Sequence, residues 1–103
     1  MKIVKSSIAG TLDSCDIQVR IEENAFNTNE IYLKSVVEQQ FGDQIKGIIQ
    51  SILDKHKIES VTVSAVDRGA LDCTIKARVE SAILRATGQE LLEDWSVIHD
   101  EHA

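Results

Sequence analysis

Apolar and polar side chains alternate most regularly between Cys15 and Glu22. Cys15, Ile17, Val19 and Ile21 share one parity, and Asp16, Gln18, Arg20 and Glu22 the other. Successive strand residues point to opposite faces, so this pattern predicts a strand with one buried face. The stretch from Lys2 to about Ala9 predicts a pairing partner, with Gly10 to Ser14 as the connecting turn. After a polar loop around Asn24 to Asn29, a short strand is predicted from Glu30 to Lys34. A helix follows, because Val37, Phe41, Ile45, Ile48, Ile49, Ile52 and Leu53 recur at helical spacing and form one apolar stripe. Ser35 and Glu38 have the spacing of a capping box, which would satisfy orphan amide donors at the helix start. Lys55, His56 and Lys57 suit the negative pole of the helix dipole at the other end. Gly42 and Gly47 lie inside this helix at a cost of roughly 1 kcal/mol each relative to alanine. Close approach of helix to sheet is the expected reason, with a break at Gly42 as the alternative.

In the second half, Val61, Val63 and Ala65 alternate with Thr62 and Ser64. Beyond Asp67-Arg68-Gly69, Leu71, Cys73, Ile75, Ala77 and Val79 alternate with Asp72, Thr74, Lys76, Arg78 and Glu80. Two alternating runs around a turn predict an antiparallel hairpin, with Gly69 supplying the unusual backbone geometry. Ala82 to Ala86 predicts a short helix capped by Gly88. The expected fold class is therefore α+β: a mainly antiparallel sheet covered on one face by one long amphipathic helix, plus a short C-terminal helix. Residues 1–88 form the expected domain. Residues 89–103 form an acidic tail, mixing Leu91, Leu92, Trp95, Val97 and Ile98 with carboxylates, to which the pattern assigns no order. No proline, repeat or low-complexity tract divides the 103 residues, a length that suits one domain.

Composition narrows the function classes. A hydrophobic content of 43% with 27% charged residues is that of an ordinary globular chain. The formal net charge of −6 argues against nucleic acid, whose phosphates require clustered Lys and Arg. It leaves solubility, or electrostatic steering toward a basic protein partner, as the use of the acidity. No apolar run approaches the roughly 18 residues of a membrane span. Met1 to Ser7 lacks the continuous apolar region of a signal peptide, so a cytoplasmic location is expected. Cys15 and Cys73 are too few for a disulfide framework and fall on the apolar parity, which predicts two small, reduced core residues.

No catalytic constellation emerges. A nucleophilic serine needs a positioned base, and His56, His99 and His102 lie far from Ser14 in the chain; no G-x-S-x-G elbow is present. His99 and His102 are i to i+3 in the acidic tail, without the further ligands of a metal site. Asp67, Asp72 and Glu80 fit turns and solvent faces and are not paired around a pocket. Trp95 is consistent equally with packing on the domain and with docking into a larger subunit. Ser14 is an exposed turn hydroxyl flanked by Asp13 and Cys15, which suits either an ordinary turn residue or a site of covalent modification.

The segment Ala9-Gly10-Thr11-Leu12-Asp13-Ser14-Cys15-Asp16 resembles the start of the acyl carrier (gamma) subunit of citrate lyase. Similar too are Val36-Val37-Glu38-Gln39-Gln40-Phe41-Gly42-Asp43, Asp67-Arg68-Gly69-Ala70-Leu71-Asp72-Cys73 and Lys76-Ala77-Arg78-Val79-Glu80, so the resemblance runs from Met1 to about Gly88. Its register sets Ser14 at the family's modified serine. Asp13 stands where Glu is common, and Cys15 where Gly or Ser is more usual. The resemblance implies a noncatalytic carrier whose Ser14 bears 2'-(5''-triphosphoribosyl)-3'-dephospho-CoA through a phosphodiester. The thiol of that arm would hold acetyl and citryl thioesters while citrate is cleaved to acetate and oxaloacetate. As partners it implies the alpha (acyl transferase) and beta (citryl lyase) subunits and a prosthetic-group transferase. No catalytic residue and no metal ligand is expected in this chain. The related carrier of malonate decarboxylase is the alternative within the class. Outside it, the alternatives are a noncatalytic interaction module that stabilises a larger complex and a thiol enzyme built on Cys15.

Overall fold

Alternation and helical spacing resolve into six elements in the computed structural model, which describes residues 2–89: β1 (Ser7–Ala9), β2 (Ile17–Glu23), β3 (Glu30–Ser35), α1 (Glu38–Lys55), β4 (Val61–Asp67) and α2 (Asp72–Ala86). The class is α+β, as expected. The four strands form one sheet in the order β1-β2-β4-β3. β1 and β4 run antiparallel to β2, with Ile8 opposite Arg20 and Val19 opposite Ala65. β3 pairs parallel to β4, with Leu33 opposite Ala65, so the sheet is mixed. The parallel pair follows from the connection: α1 crosses between β3 and β4, and a crossover returns the chain in the direction in which it left.

The two helices lie on one face of the sheet, α1 over β3 and α2 over β1 and β2, and they touch each other. Ile17, Val19 and Ile21 of β2 and Val61, Val63 and Ala65 of β4 are buried beneath them, against Ile45, Ile49, Ile52 and Leu53 of α1. Each fully buried Ile or Leu side chain contributes about 1.5–3 kcal/mol of transfer free energy, so this layer dominates the stability. The opposite face of the sheet carries Gln18, Arg20, Tyr32, Lys34, Ser64 and Val66, and no described helix covers it.

The hairpin expected from Leu71 to Val79 is absent, and the segment is the first half of a full second helix. Ile75, Val79, Ala82, Ile83 and Ala86 are its buried residues, a spacing of four, three, one and three that marks one helix face. Leu71, Cys73 and Ala77, which supplied the rest of the alternation, are exposed. β4 already has β2 on one side and β3 on the other, leaving no edge for another strand.

The capping box is also absent. α1 begins at Glu38 after Val37, without a side-chain cap. Ser35 Oγ instead donates to Asp67 Oδ2 at 2.7 Å and accepts from the Val37 N–H at 3.0 Å, tying the ends of β3 and β4 together. The helix runs unbroken through both glycines. Gly42 is buried, as close approach requires, whereas Gly47 is exposed with open space where a Cβ would lie. Most of the tail, residues 90–103 with Trp95, His99 and His102, lies outside the described residues.

Candidate functional site

The connection from β1 to β2 is built from short-range hydrogen bonds around a buried charge. Gly10 opens it with φ of +90°, and a Cβ there would overlap the Ile17 carbonyl oxygen, so only glycine fits. Thr11 Oγ1 accepts from the Asp13 N–H at 3.1 Å and donates to Asp16 Oδ2 at 2.7 Å. The Asp16 N–H donates to the Asp13 carbonyl at 3.2 Å, closing a four-residue turn with Ser14 and Cys15 at its centre. Cys15 takes the left-handed conformation, φ 63°.

Asp16 fastens this turn to the scaffold. Only 8% exposed, it receives a forked pair of bonds from Arg78 of α2: Nε to Oδ1 at 3.0 Å and Nη2 to Oδ2 at 2.8 Å. The Arg78 guanidinium first, then the Thr11 hydroxyl and the Ile17 N–H, hold its carboxyl well below the usual carboxylate range. Bidentate Arg–carboxylate pairs fix geometry as well as charge, so the turn is registered on the helix layer.

Arg68, just past β4, holds the other side. Its N–H donates to the Asp16 carbonyl at 2.8 Å, its carbonyl accepts from the Cys15 N–H at 2.8 Å, and its Nη1 donates to the Leu12 carbonyl at 3.2 Å. These contacts grip the residues on either side of Ser14. Ser14 itself is exposed, and its Oγ has no hydrogen-bond partner among the described residues. The result is a braced turn that presents one uncommitted hydroxyl.

The remaining candidates sit elsewhere. His56 Nε2 lies 3.1 Å from Glu80 Oε2, and with Lys55 it holds the Glu80 carboxyl below its ordinary value. Asp67 is buried and satisfied by Ser35 and the Ala70 N–H, while Asp72 accepts from Gln44. None of these acids is joined to Ser14. Among the described residues, no group of three potential metal ligands occurs. Both cysteines are exposed, contrary to the core positions expected from their parity. Cys15 precedes the strand, which starts at Ile17, and Cys73 lies in the first turn of α2, so neither belongs to a strand face. Asp16 and Arg78, whose parity assigned them to solvent, are the pair that sequence reasoning missed.

Comparisons with known proteins bear on the family of the chain. The family profile described as Malonate decarboxylase delta subunit (MdcD), within the acyl carrier proteins, matches residues 4–86. The citrate lyase acyl carrier protein of Vibrio cholerae serotype O1 (strain M66-2) is 46% identical over 96 residues, 93% of this chain and 97% of that one. That of Latilactobacillus sakei subsp. sakei (strain 23K) is 46% identical over 99 residues, 96% of each chain, and that of Haemophilus influenzae (strain PittEE) is 41% identical over 98. The chain belongs to the citrate lyase acyl carrier protein family. Membership of an acyl carrier family implies a covalently attached prosthetic group. A chain of the Pseudomonas malonate decarboxylase hetero-tetramer, solved in complex with malonate, shares the fold: TM-score 0.66 and 15% identity, covering 80% of this chain and 84% of that one.

Proposed function

We propose that this chain is the acyl carrier subunit of a citrate lyase and that Ser14 is its point of attachment. The observation that carries the reading is the free, exposed Ser14 hydroxyl on a turn braced from both sides. A phosphodiester link needs a hydroxyl that a transferase can reach and a cation nearby to offset the phosphate charge. Ser14 and Arg68 supply these, and Asp16, the nearest buried acid, is neutralised by Arg78. The residues therefore fit a phosphate-linked arm.

The group we assign is 2'-(5''-triphosphoribosyl)-3'-dephospho-CoA, whose terminal thiol supplies the thioester linkage that carries an acyl group. The chain's own residues display and orient. Gly10 turns the backbone outward, Asp16 and Arg78 hold the turn on the helix layer, and Arg68 fixes the flanks of Ser14. A tether replaces a bimolecular encounter by an intramolecular one, at an effective concentration of order millimolar for a short flexible link. That suits a noncatalytic carrier serving the acyl transferase (alpha) and citryl lyase (beta) subunits in the cytoplasm after loading by a prosthetic-group transferase. No helix among the described residues is long and apolar enough to cross a membrane.

The profile match favours a second reading, the carrier of malonate decarboxylase, and reconstitution with the partner subunits of each enzyme separates the two. Intact mass of the chain from its native host, with fragment mapping, tests the attachment: the added mass belongs on Ser14. Ser14→Ala should abolish attachment completely and change stability by no more than about 0.5 kcal/mol, as at an exposed position. An unmodified chain in an active native complex would leave the noncatalytic interaction module as the better account.

A further inference from the structure

Beside the Ser14 turn, on the face of the sheet away from the helices, runs a groove of about 390 Å³. Leu12 reaches it from the turn. Gln18, Val66 and Lys34 reach it from one cross-strand row on β2, β4 and β3, and Val36 and Arg68 from the segments that leave β3 and β4. Its lining carries the exposed aliphatic side chains Leu12 and Val36 with the half-buried Val66, the cations Lys34 and Arg68, and Ser35 with Asp67, whose carboxylate is buried and bonded to the Ser35 hydroxyl and the Ala70 N–H. Arg78, Lys55 and Arg20 are each paired with a carboxylate elsewhere. Neither Lys34 nor Arg68 is in an ion pair among the described residues. A chain of net charge −6 thus places two cations that carry no ion pair among the described residues next to its candidate attachment point.

We propose that this groove holds the phosphate-bearing, nucleotide-like part of the arm, with Arg68 and Lys34 anchoring the phosphates and Leu12, Val36 and Val66 underlying the base. The inference rests on the reading of Ser14 as the attachment site and adds where the arm lies. The Arg68 guanidinium donates to the Leu12 carbonyl, two residues before Ser14, and its backbone carbonyl accepts from the Cys15 N–H, so this cation lies on the turn from which an arm on Ser14 would start. Guanidinium forks suit phosphate oxygens, and an ammonium serves as a second point charge further along. Aliphatic walls with a few charged groups are the ordinary make-up of a ligand groove. The larger apolar cleft, about 550 Å³ between Val37, Phe41 and Leu71, has no Lys or Arg in its lining to offset its exposed acid Asp72, whereas the acid in the lining of the groove, Asp67, is buried and hydrogen-bonded. Seating the nucleotide end would leave only the thiol end ranging between partner sites, a shorter and more directed tether than a free arm.

The test compares amide resonances of the 15N-labelled full chain with and without the arm, its position verified by mass. Arm-dependent shifts are expected at Gln18, Lys34 and Val66 as well as in the turn. They should shrink as salt is raised, since the screening length falls from about 10 Å at 0.1 M to about 3 Å at 1 M. Lys34→Gln, which removes no hydrogen bond among the described residues, should abolish the shifts at positions 34 and 66 and leave those in the turn; Arg68→Gln should reduce both sets. Shifts confined to Leu12–Asp16, or indifferent to both salt and Lys34→Gln, would overturn the inference while the arm remained on Ser14. An arm mapped to another residue would instead overturn the attachment reading.

Discussion

Two polar loops flank β2, and different forces hold them. Each contains a non-glycine residue in the left-handed region, Cys15 at φ 63° in the first and Asn27 at φ 59° in the second. The loop after β2 is tied by neutral amides. Asn24 Nδ2 donates to the Thr28 carbonyl and to Thr62 Oγ1, its Oδ1 accepts from the Phe26 N–H, and Asn29 bridges the Ile58 carbonyl and the Val61 N–H. The turn before β2 is tied by a buried carboxylate and two arginines, one on α2 and one past β4. Charge-assisted, bidentate bonds are roughly twice as strong as neutral ones and fix direction. The loop that presents the candidate serine is thus registered on the helix layer as well as on the sheet, as a displayed group requires.

Gly10→Ala should break this contrast most severely. Its Cβ would overlap the Ile17 carbonyl and press on the Arg78 side chain, and φ of +90° is unfavourable for alanine. A loss of more than about 2 kcal/mol is expected in denaturant unfolding, and a neutral result would mean that the turn is not held in the described geometry.

Arg78→Met keeps the side chain's bulk and removes the fork. The turn should then loosen, seen as faster amide exchange at Cys15 and Asp16, with the Asn24 loop unchanged. Acid stability supplies an independent check. The folded Asp16 carboxyl titrates below its unfolded value, so its contribution is fully present above about pH 4 and is lost as pH falls through the folded value. The wild-type chain should therefore lose stability steeply below about pH 4, and Arg78→Met should flatten that dependence. Equal acid slopes in the two proteins would sink the clamp.

The contrast also separates what was legible in the sequence from what was not. β2, β3, α1 and β4 follow from local periodicity, because each buries one face against a single layer. The Leu71–Val79 run satisfied a period of two through Leu71, Cys73 and Ala77, yet Ile75 and Val79 also continue into Ala82, Ile83 and Ala86 at helical spacing. Only the filled edges of β4 decide between the two. The place of Ser14 in a turn was readable from its neighbours. The clamp was not, since Asp16 and Arg78 are 62 residues apart and both carry the parity of solvent-facing positions. Long-range ion pairs leave no periodic trace.

Asn24→Ala tests the neutral loop and should cost about 1–2 kcal/mol, because it deletes hydrogen bonds to neutral partners at a partly exposed site. Salt should not alter that cost.

The finest discrimination comes from Cys15 and Asn27, the left-handed non-glycine residues of these two loops. Asparagine tolerates φ near +60° because its short amide bonds locally, whereas cysteine has no such compensation. Glycine removes the clash in either case but adds backbone entropy to the unfolded chain, which offsets about 0.5–1 kcal/mol of the relief. Cys15→Gly should therefore stabilise by a few tenths of a kcal/mol, up to about 0.5, and Asn27→Gly should be neutral or slightly destabilising. Opposite signs, read as denaturation midpoints at constant m-value, would show that strain at the crest of the Ser14 turn is real and is borne by the clamp beneath it. If Cys15→Gly destabilises as much as Asn27→Gly, the left-handed turn costs nothing, and the bracing by Arg68 and Arg78 is not needed to hold it.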